Sequence, residues 1–176
     1  KDNVLWVEAL DAKGNVKKLS SLQCHFSYRS SIFKEKNWVV LSAAFKLKKG
    51  NTRAIQAIAK DHIRYRKEKH PLEYPNAGSI FKNCDLRKFS LGLQKKLQPA
   101  VKLDPFPVVP TAYLNDQAGL KGMRQNNIQI SRKHPNYMVN LGGGTAKDVI
   151  LLVEKAKKII KKKFSIDLEQ EVEYVE

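Results

Sequence analysis

Ser79 stands between Gly78 and the apolar pair Ile80-Phe81, with Lys82 and Asn83 following and a bend marked by Pro71 and Pro75 before it. A hydroxyl so placed can face a pocket. Glycine lets backbone or ligand come close, Ile80 and Phe81 mark the start of a buried strand, and Lys82-Asn83 bring a cation and an amide within reach. The same residues also fit an ordinary Gly-Ser turn, so the segment needs partners before it signifies chemistry.

Two distant segments offer them. Tyr28-Arg29-Ser30-Ser31 sets an arginine among small hydroxyl residues, where its planar fork suits a carboxylate or phosphate; the alternative is an arginine bridging a loop to a sheet. Glu169, Glu171 and Glu173 alternate with Leu168, Gln170, Val172 and Tyr174, the period of a strand with one buried face. Three carboxylates on one face disfavour joint ionisation, and Glu171, in the middle, is the easiest to protonate unless a cation faces it. A protonatable carboxylate in a pocket suits proton transfer or enol stabilisation, and a solvated strand face is the alternative. Gly142-Gly143-Gly144 before a helix start could cradle phosphate, yet it matches neither nucleotide-binding glycine pattern and reads equally as a strand-to-helix loop.

The elements that must position these groups are legible from periodicity. Val4–Val7 and Val16–Leu19 flank a turn-rich Asp11–Asn15 and predict a β-hairpin, with a third strand from Trp38 to Leu47. Asn51-Thr52 caps a helix carrying Ile55, Ile58, Ala59, His62 and Ile63, and the domain boundary is placed here. A second helix carries Leu86, Phe89, Leu93 and Leu97, weakened by Gly92, and Asp104-Pro105-Phe106-Pro107 forms a rigid connector. Pro110-Thr111 opens a short helix, and Gly119 and Gly122 bracket a turn. Ile128–Ile130 and Tyr137–Val139 read as short strands. Thr145 and Asp148 form a capping box for a last helix with Val149, Ile150, Val153, Ala156, Ile159 and Ile160 on its apolar face.

The chain has 176 residues, 42% of them hydrophobic, enough for one good core or two small ones. Its longest apolar stretch is far shorter than the roughly 20 residues of a membrane helix, and no signal peptide opens it, so a cytoplasmic protein without membrane partners is expected. Cys24 and Cys84 lack a C-x-x-C pattern, and the four histidines lack ligand spacings, so neither disulfide framework nor metal site is expected. With 33 basic against 17 acidic residues, the net charge of +16 favours anionic partners. The lysines are spread over helices without interleaved aromatics or a recognisable RNA- or DNA-binding signature, so nucleic acid is not the expected partner. Phosphorylated small molecules would feel the same field.

Taken in order, Tyr28–Lys34, Lys69–Leu72, Ala77–Asn83, Asp116–Gly122, Ser131–His134 with Asn140, and Leu168–Val172 resemble the UDP-N-acetylenolpyruvoylglucosamine reductases over nearly the whole chain. The resemblance implies an FAD enzyme that takes hydride from NADPH and delivers it to the enolpyruvyl double bond of a UDP-sugar in peptidoglycan synthesis. It assigns catalysis to Arg29, Ser79 and Glu171, with Ser79 protonating the enolic carbon and Arg29 and Glu171 stabilising the carboxylate and developing enolate. It gives substrate contacts to Tyr28, Lys69, Asn83 and His134, and names no cofactor-binding residue in this chain. The short interval between Arg29 and Ser79 resembles the shorter form of the family, without its inserted tyrosine loop.

The fold so implied is α+β, with residues 1–50 ending an FAD-binding domain and residues 51–176 forming an α+β substrate-binding domain. No glycine-rich flavin loop precedes the hairpin, so an N-terminal flavin domain is expected to be missing. Cys84 replaces a usual proline, Gln125-Asn126-Asn127 replaces a glycine-rich turn, and Cys84 to Pro110 is longer than usual. The rival expectation is a non-catalytic fragment that binds a nucleotide-sugar or nucleic acid through its basic surface.

Overall fold

Asp11 builds the first turn. Its Oδ1 accepts from the amides of Lys13 and Asn15, each at 2.9 Å, and Gly14 supplies the left-handed φ of 81° that reverses the chain. Strand β1 (Val4–Leu10) thereby returns as β2 (Val16–Ser20), with Trp6 opposite Ser20 and Leu10 opposite Val16. A single turn of helix, α1 (Ile32–Glu35), buries Phe33 and has no counterpart in the periodicity. Strand β3 (Val39–Phe45) pairs along the other edge of β1, giving the order β2-β1-β3. Val7, Ala9, Leu19, Cys24 and Phe33 form a small core on this sheet. The hairpin and third strand are those the sequence predicts.

The computed structural model describes residues 1–175 and divides the chain into two compact units, Lys1–Ala57 and the remainder from Ile58. The division falls inside α2 (Thr52–Lys69), whose start is capped by Asn51 Oδ1 accepting from the Ala54 amide at 3.0 Å. No residue of α2 is buried, so the apolar stripe of Ile55, Ile58 and Ile63 faces solvent. Among the described residues, no helix is long and apolar enough to cross a membrane.

The second unit runs through β4 (Asn76–Ser79), β5 (Cys84–Asp85), α3 (Leu91–Leu97), β6 (Val108–Val109), α4 (Thr111–Gln117), β7 (Arg124–Gln125), β8 (Ile128–Ile130), β9 (Tyr137–Asn140) and α5 (Ala146–Phe164). Its main sheet has the order β4-β9-β8-β7, antiparallel throughout, and β5 pairs with β6 separately. Leu152, Val153, Ala156 and Ile160 of α5 join Ile80, Phe81, Leu114, Leu120 and Ile130 in one core. Each of the larger side chains contributes about 1.5–3 kcal/mol by leaving water. The predicted capping box is present: Thr145 Oγ1 accepts from the Asp148 amide at 3.3 Å, and Asp148 Oδ2 accepts from the Thr145 amide at 3.0 Å.

Two expectations differ from the fold. The helix predicted through Leu86, Phe89, Leu93 and Leu97 is broken, because Asp85 Oδ1 accepts from the Arg87 amide at 3.0 Å and closes a separate 3-10 turn over Leu86–Lys88. Ser90 Oγ then accepts from the Leu93 amide at 3.4 Å and starts α3 anew. The strand predicted over 168–174 shrinks to one bridge, Phe81 with Gln170. Its partner, Phe81, lies beyond the end of β4, and the pairing consists of the two backbone bonds that flank the bridge, Lys82 to Glu169 and Glu171 to Ile80.

Candidate active site

Ser79 is the last residue of β4, half-buried, opposite Tyr137 of β9. Gly78 before it has φ 83°, and the space a β-carbon would enter there is open to 4 Å. The glycine therefore serves the backbone turn, and the approach over it stays clear. Asn76 sets the turn: its Oδ1 accepts from the Gly78 amide at 3.0 Å, and its Nδ2 donates to the carbonyls of Pro71 and Tyr74 at 3.1 and 2.9 Å. The proline bend is thus tied beneath the serine.

The polypeptide just beyond Ser79 pairs with the tail after α5. The Lys82 amide donates to the Glu169 carbonyl at 2.9 Å, and the Glu171 amide donates to the Ile80 carbonyl at 2.8 Å. This register puts Glu171 opposite Ile80, one residue from Ser79, although the two are far apart in sequence. The Lys82 ammonium forms a close ion pair with Glu169. The cation next to the serine therefore meets the outer carboxylate of the glutamate series.

Asn136 fastens the same backbone from the other side. Its carbonyl accepts from the Ile80 amide at 2.8 Å, its Oδ1 accepts from the Phe81 amide at 3.2 Å, and its Nδ2 donates to the Phe81 carbonyl at 2.8 Å. The residue is buried, so these bonds satisfy groups that water does not reach. Sequence reasoning passed over Asn76 and Asn136; their only signal is a short amide beside a proline at a chain reversal.

Asn83 Oδ1 accepts from the Thr111 amide at 3.3 Å, and the Thr111 hydroxyl donates to the Lys82 carbonyl at 2.5 Å, so this pair sets α4 against the serine segment. Cys84 lies 3.7 Å from the Thr111 hydroxyl, and burial pushes its thiol pKa up.

His134 lies half-buried in the loop between β8 and β9, whose Ser131 Oγ accepts from the amides of Lys133 and His134 at 3.1 Å each. Its ring stacks on His70 at 5.2 Å between centroids and meets Tyr137 edge-on at 4.7 Å. Burial lowers the pKa of both imidazoles; Arg66 and Lys133 add to the effect at His70, and His70 and Lys102 add to it at His134. Lys69 is the exposed last residue of α2, next to His70.

Arg29 and Tyr28 belong to the first unit. They form the tip of a turn closed by the Ser27 amide donating to the Ser30 carbonyl at 3.0 Å. Arg29 has φ 58°, left-handed backbone that a non-glycine residue seldom takes, and its guanidinium lies 5.7 Å from the Tyr28 ring. Within the second unit, the backbone of Glu171 pairs with that of Ile80, the residue after Ser79, and Asn83 is anchored a few residues along.

The glycine-rich loop is occupied by the chain itself. Asn140 Oδ1 accepts from the amides of Gly142 and Gly144 at 2.9 and 3.0 Å. The Asp148 carboxylate stands at the start of α5, its pKa lowered chiefly by the Thr145 amide and hydroxyl. Of the two sequence readings, the strand-to-helix loop fits these bonds. At the hairpin between β7 and β8, Asn126 takes φ 49° and so does the work of a glycine.

Comparison with known proteins bears on this arrangement directly. The family model for the C-terminal domain of UDP-N-acetylenolpyruvoylglucosamine reductase matches residues 70–175. The reductase of Fervidobacterium nodosum is 37% identical over 173 residues, covering 98% of this chain and 49% of that protein. That of Caldanaerobacter subterraneus subsp. tengcongensis is 37% identical over 175 residues, covering 99% and 51%. The crystal structure of the Thermus caldophilus reductase, MurB, superposes with a TM-score of 0.70 at 27% identity, over 98% of this chain and 53% of that one. The chain spans about half the length of the curated relatives it matches. With its C-terminal domain matched from His70 onward, the chain belongs to the UDP-N-acetylenolpyruvoylglucosamine reductase family.

Proposed function

We propose that this chain is the substrate-holding part of an enzyme that reduces the enolpyruvyl ether of UDP-N-acetylglucosamine to UDP-N-acetylmuramate, a cytoplasmic step of peptidoglycan synthesis. The observation that carries the reading is the hydrogen bond from the Glu171 amide to the Ile80 carbonyl, which brings the backbone of Glu171 alongside the residue that follows Ser79. The reaction adds hydride and a proton across a carbon–carbon double bond, and a flavin reduced by NADPH supplies the hydride when bound. The loop over Gly142–Gly144 does not fit a dinucleotide, since Asn140 takes amide donors there and Asp148 brings a negative charge. That loop is therefore assigned to neither FAD nor NADPH, and the flavin is assigned mainly to the half of the reductase that this chain does not span. Val39, Val40, Leu41 and Phe45 of β3 are about half exposed, which suits a first unit that ends an FAD-binding domain.

The proton is this chain's contribution. Serine is a weak acid, but an enolate is basic enough to take its proton when the hydroxyl is held in place. Ser79 Oγ–H gives its proton to the carbon bearing the carboxylate, and solvent restores it. Glu171 hydrogen-bonds the enolic carboxyl group, and Arg29 supplies fixed positive charge where negative charge develops. Tyr28, Lys69, Asn83 and His134 hold the substrate.

Titrating the isotopically labelled chain with the enolpyruvyl UDP-sugar tests this by amide chemical shifts. Shifts concentrated on Ser79–Asn83, His134 and Glu171 are expected. A response confined to the lysines of α5, which an oligonucleotide reproduces and which collapses steeply with salt, would replace the reading with phosphate tracking on the basic surface.

A further inference from the structure

The pairing of β4 with β9 changes register between Asn76 and Ser79, so Ser79 is not locked by an unbroken ladder along its own strand. Its place depends on the residue opposite, Tyr137, and on Asn136, which holds Ile80 and Phe81. Both are in turn held by imidazoles. The Tyr137 hydroxyl is 2.8 Å from His70 Nδ1, with the rings edge-on at 82°. The Asn136 amide donates to His134 Nδ1 at 3.4 Å, and a backbone N–H can only donate, so that nitrogen carries no proton. His70 and His134 then stack on each other at 23°.

We propose that His70, His134 and Tyr137 form a proton-sensitive clasp that positions Ser79 through Tyr137 and Asn136, closed while both imidazoles are neutral and opened when either is protonated. A proton on His134 Nδ1 sets two N–H groups against each other and removes the bond to Asn136. A proton on His70 places a cation among other cations: Arg66 on α2, Lys133 on the facing loop, and Lys102 toward His134. Tyr65 and Tyr137 present their rings to the cluster, and Glu73 is paired with Lys133 at 3.5 Å. Lys133 Nζ also donates to the Lys67 carbonyl at 2.6 Å, so the end of α2 is tied to the same loop that repulsion would push away. That the positioned serine is a proton donor rests on the reductase reading; the clasp itself does not.

The sign of the pH dependence follows from the lowered pKa values of both rings. The folded chain resists protonation that the unfolded chain accepts, so the clasp's stabilisation is present above the ordinary histidine value of 6.5 and is lost as pH falls through the folded values. The experiment is amide exchange and histidine-ring titration by NMR on the whole chain, without substrate or turnover, so its outcome is independent of the reductase reading. The protection of the Ile80 amide, its exchange rate relative to the intrinsic rate at each pH, should fall as the two rings titrate, while amides of β8 keep theirs. Tyr137→Phe, which keeps the ring and loses one buried hydrogen bond, should quicken Ile80 exchange about fivefold at neutral pH. His70→Gln keeps a non-titrating partner for the phenol and should leave Ile80 protected while weakening its response to acid. An Ile80 amide indifferent to the titration of both rings, or unchanged by Tyr137→Phe, would overturn the clasp.

Discussion

Replacing Ser79 with alanine, in an enzyme completed by joining this chain to the flavin half of a relative, should slow substrate reduction about 10³-fold, the middle of the range for a lost general acid. Reduction of the flavin by NADPH should keep its unmutated rate. The change is small in structural terms: Ser79 is half-buried, and the bonds that set its neighbours run through the backbones of Ile80, Phe81 and Glu171 and the side chain of Asn136. Loss of the hydroxyl therefore removes the proton and leaves the scaffold. Rapid-mixing kinetics of the two half-reactions separate the steps, and normal substrate reduction by the alanine variant would end the proton-donor role.

The largest effect on stability is expected at Asn136. Alanine there strands the Phe81 amide and carbonyl inside the protein, with both atoms bonded only 3.2 and 2.8 Å from the lost side chain. Two buried unsatisfied groups cost about 2–6 kcal/mol together. Part of that loss falls on function, because the same residue fixes the backbone directly after Ser79. Urea unfolding should show a lowered midpoint, and substrate affinity should fall with it even under conditions where the variant remains folded. A midpoint within about 0.5 kcal/mol of the parent, the range of an ordinary surface substitution, would show that the Asn136 bridge is replaceable.

The elements with strong local signals were legible in the sequence. Asp11 and Gly14 announce the hairpin, Thr145 and Asp148 announce α5, and Thr111 opens α4 after a proline as its position suggests. The failures occur where a polar side chain competes with periodicity. Asp85 and Ser90 each offer an oxygen to a nearby amide and so divide one apparent helix into two, although Leu86 and Leu97 still reach the core. The alternation over 168–174 is real in its residue types, yet a strand needs an edge to pair with, and Ile80–Lys82, just past β4, supply only a few residues of one. Pattern alone carries no information about the partner's length.

The site was legible in the same uneven way. Ser79 and Glu171 stand out by residue type and by resemblance, and the structure adds the register that sets Glu171 opposite Ile80, the residue after Ser79. Gly142–Gly144 looked able to hold phosphate because glycine frees amides, but Asn140, two residues before the loop, accepts those amides itself. Asn136 and Tyr137 carry no motif, and His70 stands in one, Lys69–Leu72, that assigns it no role. Their importance lies in a hydrogen bond across β4 and β9 and in a ring stack between the end of α2 and a distant loop, contacts that only the folded chain makes.

We propose that this chain holds the enolpyruvyl substrate and delivers its proton while the flavin lies mainly in the other half of the enzyme. Steady-state NADPH oxidation by the joined enzyme tests it most directly. Oxidation should depend on the enolpyruvyl UDP-sugar and be absent when either half is supplied alone. A joined protein that binds flavin and is reduced by NADPH, yet shows no response to that substrate, would contradict it.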